Sequence, residues 1–294
     1  MATTKSILDQ IKATLLTYQN TTLSGIITFK RGVLPPNPAF PAIAVVPIEE
    51  RPTGGKAGNE YSNFRRFNIE IYAKEFKVKD AVDRTKAIAD LVIDIINNNI
   101  EWEGLAIDSF ISELVEEDPI PADSKVIAVC VIPLETHSLE VKPDNREVTN
   151  TIYRTSETIQ DSIKTLFETY YSAPDGDLDT SKANSIYRTS YPVIPKFPSI
   201  TIGEPSMEVS RRFAGIDVEV RHFQIGVWTK LLDKEIQLDN NLDLVEAVKA
   251  ILYRHCGYGI NPKIDSIVFD MSTSPVGNVY NSTINWDCDV FSPN

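Results

Sequence analysis

The strongest constraint on this chain is that its two halves repeat one another. Ile7–Tyr18 reads ILDQIKATLLTY and Ile159–Tyr170 reads IQDSIKTLFETY, sharing Ile, Asp, an Ile-Lys pair and a closing Thr-Tyr at one offset. Phe40-Pro41-Ala42-Ile43-Ala44-Val45 matches Phe197-Pro198-Ser199-Ile200-Thr201-Ile202, and Arg65-Arg66-Phe67-Asn68-Ile69-Glu70-Ile71-Tyr72-Ala73-Lys74 matches Arg221-His222-Phe223-Gln224-Ile225-Gly226-Val227-Trp228-Thr229-Lys230. Ile107-Asp108-Ser109-Phe110-Ile111 lies over Ile264-Asp265-Ser266-Ile267-Val268, and Cys130 over Cys288. A repeat of half a 294-residue chain far exceeds the period of solenoids and propellers, so each copy reads as a whole domain. The expected division is 1–142, a polar linker at 143–150 containing Pro143, and 151–294.

Each copy carries the same succession of patterns. Ile7, Leu8, Ile11, Leu15 and Leu16 recur at helical spacing behind a capping Thr4 or Ser6, and Ile159, Ile163, Leu166 and Phe167 repeat the stripe. Pro41–Val46 and Ser199–Ile202 are short apolar runs beside prolines and read as strands. Phe67–Ala73 alternates at period two, as do Phe223, Ile225 and Val227. Ala81–Ile96 and the run around Leu244–Leu252 are amphipathic helices, the first ending at Asn97-Asn98-Asn99 and the second near Gly257. Strand pairs at Ile107–Val115 with Val126–Ile132, and Ile264–Asp270 with Thr283–Phe291, close each half. The expected fold is therefore α+β: two tandem copies of an α-β-β-α-β-β domain, each a small, mostly antiparallel sheet with two helices packed on it. Open sheet edges would suit such a domain to pairing with copies of itself.

Charge excludes one class of partner. The formal charge is −12; residues 1–147 hold 16 basic and 22 acidic side chains and the remainder 13 and 19, so each side carries −6. Nucleic-acid affinity comes mainly from Lys and Arg displacing counterions, which an acidic pair of domains supplies poorly. Cys130, Cys256 and Cys288 show neither CxxC spacing nor a nearby histidine cluster, and Cys130 and Cys288 read as buried structural thiols. The opening MATTKSILDQ has no basic segment leading an apolar stretch, and no run is long enough to span a bilayer.

No local motif names a reaction. GxSxG, GxxxxGK[ST], HExxH and GxGxxG are all absent, and Gly257-Tyr258-Gly259 is a lone GxG. Asp175-Gly176-Asp177-Leu178-Asp179 starts like a calcium loop, but Thr180 stands where its glycine belongs and Ile186 where its closing acid belongs. Gly54-Gly55-Lys56-Ala57-Gly58 reads as a loop tip rather than an anion cradle, having no following Ser or Thr and no clear helix start. His137, His222 and His255 lie far apart, and only His222 falls in a matched segment, where its counterpart is Arg66. No catalytic residue, cofactor or metal is expected.

The opening helix Ile7–Leu16, the Phe40–Val45 strand, the Ile69–Ala73 strand and the helix around Ile88–Ile96, in that order, resemble the tail terminator or tail-completion proteins of long-tailed bacteriophages. The resemblance implies a non-enzymatic virion protein. It forms a ring that caps the tail tube, ends its polymerisation and joins the tail to the head or neck. The implied partners are the chain itself in a ring of three or six copies, the tail tube protein and a neck or head-completion protein, with genomic DNA only as passing cargo and no membrane. Assembly would take place in the host bacterial cytoplasm and the product would sit at the tail-neck junction of the virion. Long excursions between the paired strands would carry recognition, through Arg51, Gly54, Gly55, Lys56, Glu60, Arg65 and Arg66 in one copy and Glu204, Arg211 and Arg212 in the other. The alternative is a two-domain structural binding or baseplate-like module without terminator activity.

Overall fold

The computed structural model describes residues 2–35, 37–53, 60–141, 156–172, 185–188, 196–203, 206–213, 216–230, 234–254, 260–270, 273–274 and 277–293. Two compact units are present: Met1–Glu50 with Ser62–Glu140, and Arg51–Tyr61 with Val141–Asn294.

The first unit opens with α1 (Thr4–Thr17), whose N-cap is Thr3. Thr3 and Ser6 exchange side-chain-to-backbone bonds of 3.1 and 2.8 Å, a capping box one position ahead of the expected Thr4. There follow β1 (Thr28–Arg31), β2 (Ala42–Thr53), β3 (Glu60–Glu75) and α2 (Val78–Asn97), which is capped by Asn98 as its asparagine run predicts. A tight turn at Trp102–Gly104 leads to β4 (Asp108–Ile111), β5 (Val115–Glu116), β6 (Ile120–Ala122) and β7 (Lys125–Val141). Trp102 and Glu103 take the left-handed backbone, φ 46° and 57°, a costly choice for residues with a Cβ. Burial of the Trp102 ring and a 2.8 Å bond from its Nε1 to Ser109 Oγ hold the turn.

Strands β4, β7, β3 and β2 are laddered in that order, and β1 lies parallel to β2. Alternation decides which face is covered. On β3, Asn63, Arg65, Phe67, Ile69, Ile71 and Ala73 are buried, while the intervening side chains are half-exposed. Ile7, Leu8, Ile11 and Leu15 of α1 and Val92, Ile95 and Ile96 of α2 are buried too. Each such side chain contributes about 1.5–3 kcal/mol when fully covered.

The second unit runs α3 (Ser156–Ser172), β8 (Ser185–Arg188), β9 (Ser199–Ile202), β10 (Ser206–Phe213), β11 (Ile216–Thr229), α4 (Lys234–Arg254), β12 (Ile260–Asp270), β13 (Thr273–Ser274), β14 (Gly277–Asn278) and β15 (Tyr280–Pro293). Its ladder is β12-β15-β11-β9-β8 with β10 also on β11, while β13 and β14 pair apart. β8 runs parallel to β9 with Ser185 opposite Ser199 and Arg188 opposite Ile202. That register repeats Thr28 opposite Ala42 and Arg31 opposite Val45 in the first unit. The matched Phe40-Pro41 and Phe197-Pro198 bonds are both cis.

The expectation of two small, mostly antiparallel α-β-β-α-β-β sheets is overturned. Seven strands, β1–β7, ladder in the first unit and six, β8–β12 and β15, in the second, and each set is of mixed direction because β1–β2 and β8–β9 are parallel. Three physical reasons account for the error. β1 and β8 are four-residue strands, TFKR and SIYR, too short to display a period-two pattern of their own. The stretch Ile107–Val115 is interrupted, giving β4 and β5, with β6 following. β3, β7, β11 and β15 have 16, 17, 14 and 14 residues, well beyond their apolar centres, so each offers ladder room for further strands.

Candidate functional site

The residues singled out from the sequence fall in different settings. Arg51 is exposed near the end of β2. Gly54, Gly55, Lys56 and Glu204 lie outside the described residues, as do Asp175–Asp179, His255, Cys256 and Gly257–Gly259. Glu60 begins β3, and Arg211 and Arg212 stand on β10 opposite Val218 and Asp217; only the backbone is described at these three. Arg65 and Arg66 are adjacent and therefore point to opposite faces of β3. Arg66 is half-exposed, donating to Glu135 Oε1 from Nη2 at 2.9 Å and lying 4.0 Å from Glu49. Arg65 is 1 % exposed.

Around Arg65 the first unit builds a buried polar cluster. Its guanidinium donates to Thr4 Oγ1 at 3.0 Å, Ser138 Oγ at 2.5 Å and the Ala2 carbonyl at 2.9 Å. It also ion-pairs with Glu50, 3.4 Å away, and with Glu140. Asn63 Nδ2 donates to Glu50 Oε1 at 2.6 Å and Glu140 Oε1 at 3.0 Å, and Thr4 Oγ1 donates to Glu50 Oε2 at 2.6 Å. Two carboxylates thus share one guanidinium with their lone pairs taken up by amide and hydroxyl donors, the condition for burying charge at all. The cluster joins α1, β2, β3 and β7, and no substrate-sized opening is needed to explain any member.

Neither this cluster nor the Arg31–Asp9 ion pair was read from the sequence, though both left signals. Extending the period-two pattern of Phe67, Ile69 and Ile71 backwards places Arg65 and Asn63 on the covered face. Arg31 of β1 ion-pairs with Asp9 of α1, and Arg188 of β8 with Asp161 of α3, the latter at 2.6 Å. Both aspartates belong to the first repeated segment. Both arginines precede the first residue of the next strand by the same interval, 42 − 31 and 199 − 188 giving 11 each. Lys74 over Phe40 and Lys230 over Phe197, both 5.9 Å from the ring centroid, form another matched pair.

In the second unit, His222 Nδ1 is 2.8 Å from Asp287 Oδ1 and Nε2 is 3.8 Å from Glu208, while Lys263 Nζ is 3.4 Å from Asp287 Oδ2. The row lies across β10, β11, β15 and β12. The imidazole links β11 to β15 through its 2.8 Å contact with Asp287, while Glu208 of β10 lies beyond hydrogen-bond distance. Cys130 and Cys288 are both free and buried. Burial, ahead of the neighbouring carboxylates, pushes their thiols up to about 11 and about 12, so neither is a ready nucleophile. Among the described residues no group of three His, Cys, Asp or Glu is placed to hold a metal ion, and no helix is long and apolar enough to cross a membrane.

Two strand edges have a different character. β4, β5 and β6 each ladder to β7 and to nothing else among the described residues. Along them Ile107, Phe110, Val115 and Ile120 are exposed large apolar side chains, with exposed Asp108, Glu113, Glu116, Glu117 and Asp118 around them. Among the described residues β10 ladders only to β11, from Ser206 opposite His222 to Phe213 opposite Ile216, with a register shift between Val209 and Arg211. Unpaired N–H and C=O groups along such edges are templates for another strand.

Known protein families give no match to the chain, and no curated protein matches it.

Proposed function

We propose that the protein is a structural component of a bacteriophage tail, a terminator that assembles into a ring of three or six chains on the end of the tail tube. The observation that supports this most is that, among the described residues, each unit has strands laddered on one side only, including the acidic β4–β6 edge in the first and the β10 edge in the second. A molecule with two dissimilar adhesive edges joins its neighbours head to tail, and such contacts close into rings when the rotation permits. The polar networks described above are all accounted for as structural ties, which is consistent with a scaffold. In this reading the ring stops tube growth and offers its other side to a neck or head-completion protein. The net charge of −12 would let DNA pass the lumen without adhering.

The test is direct. Electron micrographs of the purified protein over a range of concentrations should contain closed particles with a central hole. Deleting Thr53–Asn59 from the chain should leave the fold intact by circular dichroism and yield tails of uncontrolled length. Normal tail lengths from that deletion would reject terminator activity, and rings combined with normal lengths would leave a binding or baseplate-like tail module as the reading.

A further inference from the structure

We infer that the arm formed by β10 and the start of β11 in one copy covers the outer stripe of α2 in the next, repeating between copies a contact that the second unit already contains. The inference rests on the ring reading above and names the surfaces that close the ring. It starts from the two equivalent helices. Every buried position of α2, from Ala81 to Ile96, has a buried counterpart in α4 at one offset, 237 − 81 and 252 − 96 giving 156 each. α4 buries three further side chains, Leu238, Leu242 and Lys249, which are exposed by only 1, 1 and 4 %. With Tyr253 they stand four, seven and four residues apart and so form one stripe along the helix. The matching stripe of α2 is uncovered: Val82 and Ile93 are half-exposed, and Lys86 and Asn97 are exposed.

The cover on α4 identifies the cover that α2 lacks. Residues Arg51–Tyr61 run from the end of β2 to the start of β3, yet they belong to the second unit. There the Tyr61 side chain is buried, its ring centroid 5.4 Å from that of Tyr253 at the end of α4. β3 begins at Glu60 and β11 at Ile216, again 156 residues apart, so Tyr61 corresponds to Asp217 at the start of β11 and Tyr253 to Asn97 at the end of α2. The first repeat thus supplies an arm to the helix of the second. The arm of the second repeat has its equivalent target on α2, the stripe that a single chain leaves exposed. A second copy of this chain is the occupant that brings the same segment of the repeat to the same stripe. Each copy gives one arm and takes one, a contact between unlike surfaces that closes a ring rather than a two-fold dimer.

Variants of the full chain test it. Ile93→Arg places a charge on the stripe, and Leu91→Arg places the same charge two residues away, on the exposed side of α2 that faces elsewhere. In sedimentation velocity over a range of concentrations, with melting curves as a fold check, Ile93→Arg should self-associate about a hundredfold more weakly and Leu91→Arg like the parent. An Asn97→Cys, Asp217→Cys chain treated with a short bismaleimide should give a ladder of linked copies on a denaturing gel, beyond anything that either single variant gives. Rings that survive Ile93→Arg, or a cysteine pair that links no copies while rings are present, would overturn this contact and leave the ring reading standing. A parent chain that stays monomeric across the concentration range would overturn the ring reading itself. Should Ile93→Arg fail to fold, the cysteine pair decides alone.

Discussion

Arg65 and Arg221 occupy matched places in the repeat, and the two units treat them differently. In the first unit the guanidinium is enclosed by Glu50, Glu140, Thr4, Ser138 and the Ala2 carbonyl. In the second, Arg221 is 17 % exposed and ion-pairs with Glu219 of its own strand. Beside the exposed Arg188–Asp161 pair, the second unit ties helix to sheet in its buried part with neutral amides. Gln160 Nε2 donates to the carbonyls of Ile202 and Gly203 at 2.8 and 3.0 Å, Gln237 Nε2 to Thr229 at 2.8 Å and Asn241 Nδ2 to Val227 at 3.2 Å. One repeated strand pattern can thus be anchored by buried charge or by amide-to-backbone bonds. The consequences of damage differ, since removing one member of a buried ion cluster strands the others.

The largest expected effect follows from that. Arg65→Ala should lower the stability of the first unit by about 3–5 kcal/mol in urea titrations, because two buried carboxylates lose their cation. Arg221→Ala should cost less than that, because Arg221 keeps 17 % of its side chain exposed and a single carboxylate, Glu219, loses its partner. Equal losses would erase the distinction between the units. Adding Glu50→Gln and Glu140→Gln to Arg65→Ala should restore part of the loss, whereas simple loss of packing would leave it unchanged.

A medium effect is expected two strand positions from the middle of the same match. Glu70 in the first unit corresponds to Gly226 in the second, and Tyr72 to Trp228. A Cβ on Gly226 would meet Thr201 Oγ1 at 2.5 Å and Trp228 Nε1 at 2.6 Å, two atoms joined by a 2.9 Å hydrogen bond. Gly226→Ala should therefore destabilise by about 1–3 kcal/mol, the usual cost of overpacking. Near-UV circular dichroism should report displacement of Trp228, and an unchanged spectrum with unchanged stability would sink the account.

The smallest effect depends on pH. Burial first, opposed by the bond from Tyr72 and reinforced by Glu117, raises the Glu70 carboxyl above its ordinary range. A raised folded-state value means that the stabilising contribution is complete below the unfolded value of about 4.3 and is lost as pH rises through the folded one. Glu70→Gln should consequently be more stable than the parent at pH 7 and indistinguishable from it near pH 4. A difference of the same size at both pH values would point to packing instead.

Much of the core was legible because a repeat doubles every signal. The α1 and α3 stripes, the period-two runs at Phe67 and Phe223, and the asparagine stop of α2 each follow from local spacing. The sheet was not legible, because pairing is non-local: nothing in Thr28–Arg31 or Ser185–Arg188 announces a strand until its parallel neighbour is in place. The arginines misled for a related reason. Read as charge they suggest a surface, whereas read by their phase with Phe67, Arg65 belongs inside and Arg66 outside. The β4–β6 edge escaped notice because Phe110, Val115 and Ile120 look like core residues in a sequence, and only the ladder leaves them uncovered.

Glu50 and Glu140 are the last residues of the two segments that make up the first unit. Every pull transmitted along the backbone beyond either of them reaches that unit at a carboxylate fastened to the same guanidinium. Arg65 therefore ties together two of the three points, Glu50, Ser62 and Glu140, at which the backbone crosses the boundary of that unit.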